Sequence, residues 1–338
     1  MNPIQNKNAI EIALGPMSRE VVEATFEYSH FHRAPLMLIA SKNQVDYAGG
    51  YVHGWTTKTY MDFVKQMKVQ YPNAKVKICR DHCGPGFNGK DDIEDVYATI
   101  KEDILQGFDL IHIDFCHFKG TRDEQREVTK KAIELCLSLN PKIEIEIGTD
   151  ENTGAAYSLP NLAEWGQEID YFKGICSPEF YVVQTGTVIK EINQAGSFNK
   201  SFVESVSKML HEKGLKLKEH NADYLLKSDI AERRGIVDAL NIAPQLGVIQ
   251  TQAVLAKCLV YGVPMDAFLE VVYTGGKWKK WMLKNGPENK MLCSIIAGHY
   301  HFTSPEYIKI IEELSKHIDI RQVIVNEMLA VIGHYVEE

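Results

Sequence analysis

The sequence predicts an α/β protein, a (β/α)8 barrel with a C-terminal helical extension. Three observations lead there. Short β-branched, apolar runs recur eight times between residues 10 and 242. Longer segments with apolar residues at helical spacing alternate with them. Polar residues collect where the runs end. Eight strand–helix units joined by right-handed crossovers close most naturally as a barrel. The alternative, a doubly wound open sheet, loses its usual support: no GxGxxG follows the first strand and no GxxxxGK[ST] is present.

Taken in order, the strands are expected at 10–14, 36–40, 76–80, 110–114, 143–148, 180–184, 215–219 and 237–242. Helical spacing is expected over 18–28 (with Ser18 as N-cap), 57–70, 91–106, 123–138, 159–168, 200–213 and 245–260. The barrel is expected over 1–264, and 265–338 reads as further helices packed on it, with loops at TGGKW and GHYHFTSP.

Composition narrows the function. A chain of 338 residues with 45% hydrophobic content can bury a large core. The net charge of −8 and the lack of a long Lys/Arg run make nucleic acid and anionic membrane poor partners. No window approaches 18 apolar residues, and the first residues lack a signal-peptide pattern. The seven cysteines are scattered without a CxxC pair, which fits a reducing, cytoplasmic setting rather than a disulfide scaffold.

In a barrel, chemistry sits at the C-terminal ends of the strands. The polar residues expected there are Asn43 and Gln44 after the second strand, Asp81 and His82 at the third, and Asp114 and His117 at the fourth. Glu144, Glu146 and Asp150 follow at the fifth, Gln184 at the sixth, His220 at the seventh and Asn241 at the eighth. Glu144 and Glu146 are two apart on a strand and share a face. Facing inward, two carboxylates in low dielectric call for a cation; facing outward, or paired with Lys or Arg, they are structural. His82 and His220 at strand ends are either hydrogen-bonded structural residues or, with a carboxylate, a zinc set with an open position.

Neighbours in an extended strand point opposite ways, so Asp81 and His82 share a site only if the strand kinks before Gly84-Pro85-Gly86. His112 alternates with Asp114 and reads as a packed, hydrogen-bonded residue. His117, His299 and His301 are secondary candidates. GGKWKKW, residues 275–281, is either an anion-binding lid or an amphipathic surface segment.

At LIASKNQVDYAGGY, RDHCGPG, LIHIDFCH, EIGTD, VVQTG, KEHNADY and ALNIAPQL, the chain resembles the class II, metal-dependent ketose-bisphosphate aldolases. It is most similar to the tagatose-bisphosphate aldolase Z-type subunits, described as non-catalytic partners of a catalytic chain. The resemblance implies proton transfer by Asp81, metal binding by His82 and His220, a metal-linked carboxylate in Glu146, and substrate positioning by Asp114 and Asn241.

Three departures stand out. The family's strand-six metal-binding His is missing, since Gly186-Thr187-Val188 is followed by Ile189. The His-Gly-Gly-Ser-Gly phosphate loop reads His220-Asn221-Ala222-Asp223-Tyr224, a change that the Z-type subunits share. Glu146 is kept where the Z-type pattern is apolar.

The expectation is therefore a lyase acting on a ketose or sugar phosphate. His82, Glu146 and His220 would hold a divalent metal, Zn2+ first; Asp81 would transfer the proton; Asn43, Asp114, Gln184 and Asn241 would contact substrate. A sugar-phosphate epimerase using retro-aldol chemistry is one alternative. A non-catalytic partner subunit is another, with a catalytic aldolase chain or a second copy of this chain as protein partner.

Overall fold

The computed structural model describes residues 9–149, 162–283 and 289–337. Eight parallel strands close into a barrel: β1 (Glu11–Leu14), β2 (Pro35–Ser41), β3 (Lys75–Cys83), β4 (Leu110–Ile113), β5 (Glu144–Gly148), β6 (Phe180–Val183), β9 (Lys216–Glu219) and β10 (Ala239–Ile242). Each pairs with the next, and β10 closes on β1 with Ala13 opposite Asn241. All eight expected strands are present. Residues β7 (Ile189–Lys190) and β8 (Asn193–Gln194) form a small antiparallel hairpin between barrel strands six and seven, which the sequence reading did not foresee.

Period-two alternation divides each strand between two environments. Inward residues Ala13, Met37, Ile39, Cys79, Leu110, Phe180 and Ala239 plug the barrel. Outward residues pack beneath the helices α1 (Arg19–His32), α2 (Thr57–Gln70), α3 (Ile93–Gln106), α4 (Arg122–Leu139), α5 (Leu162–Lys173) and α6 (Lys200–Glu212). The helix starts follow local chemistry. Ser18 caps α1 by accepting from the Val21 N–H, and Thr121 and Glu124 form a reciprocal capping box on α4. The helix expected over 159–168 is α5, displaced toward the C-terminus; the first residues of that span, and Asp150, lie outside the described residues.

After β9 comes the seven-residue α7 (Lys227–Arg233), and after β10 the long α8 (Pro244–Tyr261). Helices α9 (Asp266–Gly275), α10 (Lys290–Ala297), α11 (Pro305–Leu314) and α12 (Ile320–Val336) complete the chain. α12 packs on α1 and α8. Its Tyr335 hydroxyl donates to the Ala222 carbonyl at 2.9 Å and accepts from the Leu225 N–H, so the last helix braces the loop after β9. Among the described residues, no helix is long and apolar enough to cross a membrane.

Candidate metal centre

β3 brings both Asp81 and His82 to the mouth by a kink. Asp81 pairs in register with Ser41 of β2, but the register with β4 shifts between Arg80 and Cys83. His82 takes up the shift with φ +44°, a left-handed conformation uncommon outside glycine. The next turn needs Gly84: a Cβ there would lie 1.5 Å from the Asp114 carbonyl oxygen, inside covalent contact with the end of β4. The kink lets successive residues face one site.

Around that kink the inward side chains of β4, β5 and β9 converge. His220 Nε2 lies 3.3 Å from Glu146 Oε1 and 3.9 Å from Asp81 Oδ1. His82 Nε2 is 3.9 Å from Asp81 Oδ2, and the His82 and His220 rings stand edge to face at 4.9 Å. His82 Nδ1 is held by Asp114 Oδ2 at 2.7 Å, which turns Nε2 toward Asp81. A carboxylate behind an imidazole is the arrangement that orients a histidine for metal binding. Phe87 stacks on the outer face of His82, 4.8 Å between centroids.

Glu146 faces inward and is fully buried. Its second oxygen is taken by Lys218 Nζ at 2.6 Å, so Oε1 alone faces the histidines. Lys218 thus points into the barrel two residues below His220. KLKEH alternation places Lys216, Lys218 and His220 on one face, a signal present in the sequence. Glu144, one layer down, pairs with Lys77 at 2.5 Å.

His112 is fully engaged: its Nδ1 accepts from the His82 backbone N–H at 3.2 Å, and its Nε2 donates to the Gly148 carbonyl at 2.8 Å. It is the packed, hydrogen-bonded residue that the sequence predicted.

The charges are strongly coupled. Burial raises the Asp81 carboxyl, but His82 and His220 outweigh it and hold it far below the usual carboxylate range. Burial also raises Glu146, and Lys218 then His112 bring it down to about 2. Burial lowers His82, yet Asp81 and Asp114 lift it to about 9. His220 goes the other way: burial dominates and pushes it down to about 4, leaving a neutral imidazole at pH 7. Carboxylate oxygens and imidazole nitrogens of this kind suit a divalent ion of borderline hardness. The ligand atoms of Asp81, His112, Glu146 and His220 all lie within 4.8 Å of one another, and those of His82, His112 and Asp114 form an adjoining group. The donor set fits such an ion.

A cavity of about 760 Å3 opens over this cluster. Asp81, His82, His220, Asn43 and Asn241 line it, as do His117, His299 and His301. Asn241 is buried, and neither its amide nitrogen nor its carbonyl oxygen has a partner among the described residues. Two expected contacts lie elsewhere. Asp114 sits behind His82, where it also accepts from Thr149 Oγ1 at 3.0 Å, and Gln184 is buried past the end of β6; neither lines the cavity. Residues 275–281 do line it, through Gly275, Lys277, Lys280 and Trp281.

The fold is a closed parallel barrel of eight strands with an acid–imidazole cluster at its C-terminal mouth. Within it, residues 6–144 match the sequence profile described as D-tagatose-1,6-bisphosphate aldolase subunit GatZ/KbaZ-like. Solved structures carry the same architecture. A protein titled a probable tagatose 6 phosphate kinase from Sinorhizobium meliloti 1021 superposes with a TM-score of 0.82 at 16% identity, covering 97% of this chain and 99% of that one. The fructose-bisphosphate aldolase (Fba) of Campylobacter jejuni gives 0.62 at 12% identity, over 97% and 90% of the two chains. The YdjI aldolase of Escherichia coli K12 gives 0.56 at 14%, over 98% and 92%. At these identities the likeness establishes the fold.

Proposed function

We propose that the protein is a metal-dependent, aldolase-type lyase that breaks or forms a carbon–carbon bond in a ketose or sugar phosphate. One observation carries the reading: two imidazoles and two carboxylates from three different strands converge beneath a cavity of substrate size. His82, Glu146 and His220 would hold the divalent ion, with zinc the first candidate. When bound, it supplies the Lewis-acid charge needed as an enediolate develops on the substrate.

The remaining work falls to the chain. Asp81, held ionised by its neighbouring histidines, takes the proton from the hydroxyl at the bond being cleaved and returns it in condensation. Asn241 offers an unsatisfied donor and acceptor to a hydroxyl on the bound sugar, and Asn43 presents an exposed amide on the same wall. Asp114 positions His82. Lys218 is tied to Glu146 at 2.6 Å, a pairing that favours its charged ammonium over the neutral amine that a Schiff base needs.

A second reading, a non-catalytic partner of an aldolase chain, is favoured by the loop after β6. Val188 and Ile189 stand there in place of an imidazole, and Ile189 is buried in the β7–β8 hairpin. Metal analysis of the purified chain with an aldol and epimerisation screen tests both. A retained ion with carbon–carbon turnover supports the lyase, and epimerisation alone would redirect the reading to an epimerase. A chain that holds no ion and turns over nothing leaves the partner role.

A further inference from the structure

We infer that the substrate's anionic group, a phosphate monoester, is bound by the wall built from residues 275–281, with Lys277 and Lys280 supplying its charge. This rests on the reading that the mouth takes a sugar phosphate. Two parts of the cavity wall offer an anion a helix N-terminus or a cationic side chain, and they differ in whether those groups are already used.

The first is the N-terminus of α8, the usual kind of anion site at a helix start. Here it is filled from within. Asp223, buried in the loop after β9, accepts from the backbone N–H of Ala243 at 3.1 Å and of Gln245 at 2.8 Å, and Pro244 between them has no N–H. A phosphate approaching α8 meets a carboxyl group already on its amides.

The second is the turn that follows α9. Lys277 and Lys280 are exposed on the cavity wall, and neither has a carboxylate partner among the described residues. The other lining lysine, Lys42, is buried and neutralised by Asp95 at 2.6 Å. Lys280 Nζ rests 4.6 Å from the Trp281 ring centroid and 5.5 Å from that of Tyr300, contacts that position an ammonium without cancelling its charge. The Trp281 indole N–H is buried and has no acceptor among the described residues, a donor left for a ligand oxygen. The turn is held in place by the hairpin: the Glu191 N–H donates to the Trp281 carbonyl at 2.7 Å and Lys190 Nζ to the Lys280 carbonyl at 2.9 Å. His299, on the same wall, is pushed down to about 3 by burial first and then by Lys280 and His301, which places a positive field in this part of the mouth.

The test is calorimetric titration of inorganic phosphate and of a hexose 6-phosphate into the full chain at low salt. Lys277→Met and Lys280→Met should each weaken both ligands by about 5–10-fold, and the double variant by at least about 30-fold, as expected for charge-assisted contacts. Lys277→Arg with Lys280→Arg should restore binding. Unaltered phosphate affinity in the double Met variant, or no phosphate binding by the unmodified chain, overturns the inference. So does a gain of affinity in Asp223→Asn that the lysine substitutions do not reduce, since that puts the anion at α8. Metal content, measured on the same samples, reports separately on the lyase reading: phosphate binding lost with the lysines in a chain that never holds an ion would sink that reading and leave the anion wall standing.

Discussion

Arg80 and Asp81 are adjacent on β3 and face opposite ways, and the two faces are finished differently. Outward, Arg80 makes a two-pronged pair with Asp103 of α3 at 2.6 and 2.7 Å and gives its remaining nitrogen to the Ala40 and Val45 carbonyls. One cation meets one anion, with its donors consumed, in a fully buried place. On β9, outward Glu219 pairs with Arg233 through Oε1 alone, at 2.6 Å. Inward, Asp81 sits among three histidines at 3.4–3.9 Å, longer than hydrogen-bond ideal, below an asparagine with no partner. Closed pairs hold helices on the barrel; the open cluster keeps capacity to bind.

If that contrast is right, substitutions on the two faces separate activity from stability. Asp81→Ala should lower turnover by about 10²–10⁴-fold while leaving the bound metal in place; an unchanged rate removes the proposed mechanism. Asp103→Ala should instead cost about 3–5 kcal/mol in urea unfolding, because it strands the Arg80 guanidinium in the core. Equal stability losses for both would erase the distinction.

Asp114 lies between the two kinds of site, since it touches the cluster only through His82. Asp114→Ala should weaken metal affinity by about 10–100-fold in competition with a chelating dye, while the fold persists. An affinity unchanged by this substitution would make the carboxylate merely structural.

The smallest effect is expected at Asp223, whose carboxyl is pushed up to about 7 by burial, against the lowering effect of the Gln245 and Ala243 amides. With the folded pKa above the unfolded one, the contribution is complete at low pH and is lost as pH rises toward and through 7. Unfolding free energy should therefore fall over that range in the unmodified chain relative to Asp223→Asn. Parallel profiles would contradict the shift.

The barrel was legible because eight apolar runs, seven of them followed by a helix-length amphipathic segment, leave few ways to bury both faces of a parallel sheet. What stayed hidden was either too short or too remote. α7 spans seven residues, fewer than two helical turns of usable spacing, and the β7–β8 hairpin pairs only two residues a side. The convergence of Asp81, His82 and His220 could be read from strand ends, and Gly84-Pro85-Gly86 hinted at the kink. The positive φ that delivers His82 is a backbone event that the residue type does not announce. The Lys218–Glu146 pair joins residues 72 apart in the chain and exists only because the barrel closes. The retreat of Asp114 behind His82 likewise depends on how tightly Gly84 lets β3 approach β4.

The most direct test of a cation gathered at the barrel mouth is elemental analysis of the purified chain beside Glu146→Gln and His220→Ala variants, with circular dichroism to confirm that each is folded. The account predicts one divalent ion per unmodified chain and its loss from both folded variants. A chain that holds no ion after dialysis against zinc, or folded variants that keep it as well as the parent, would contradict it.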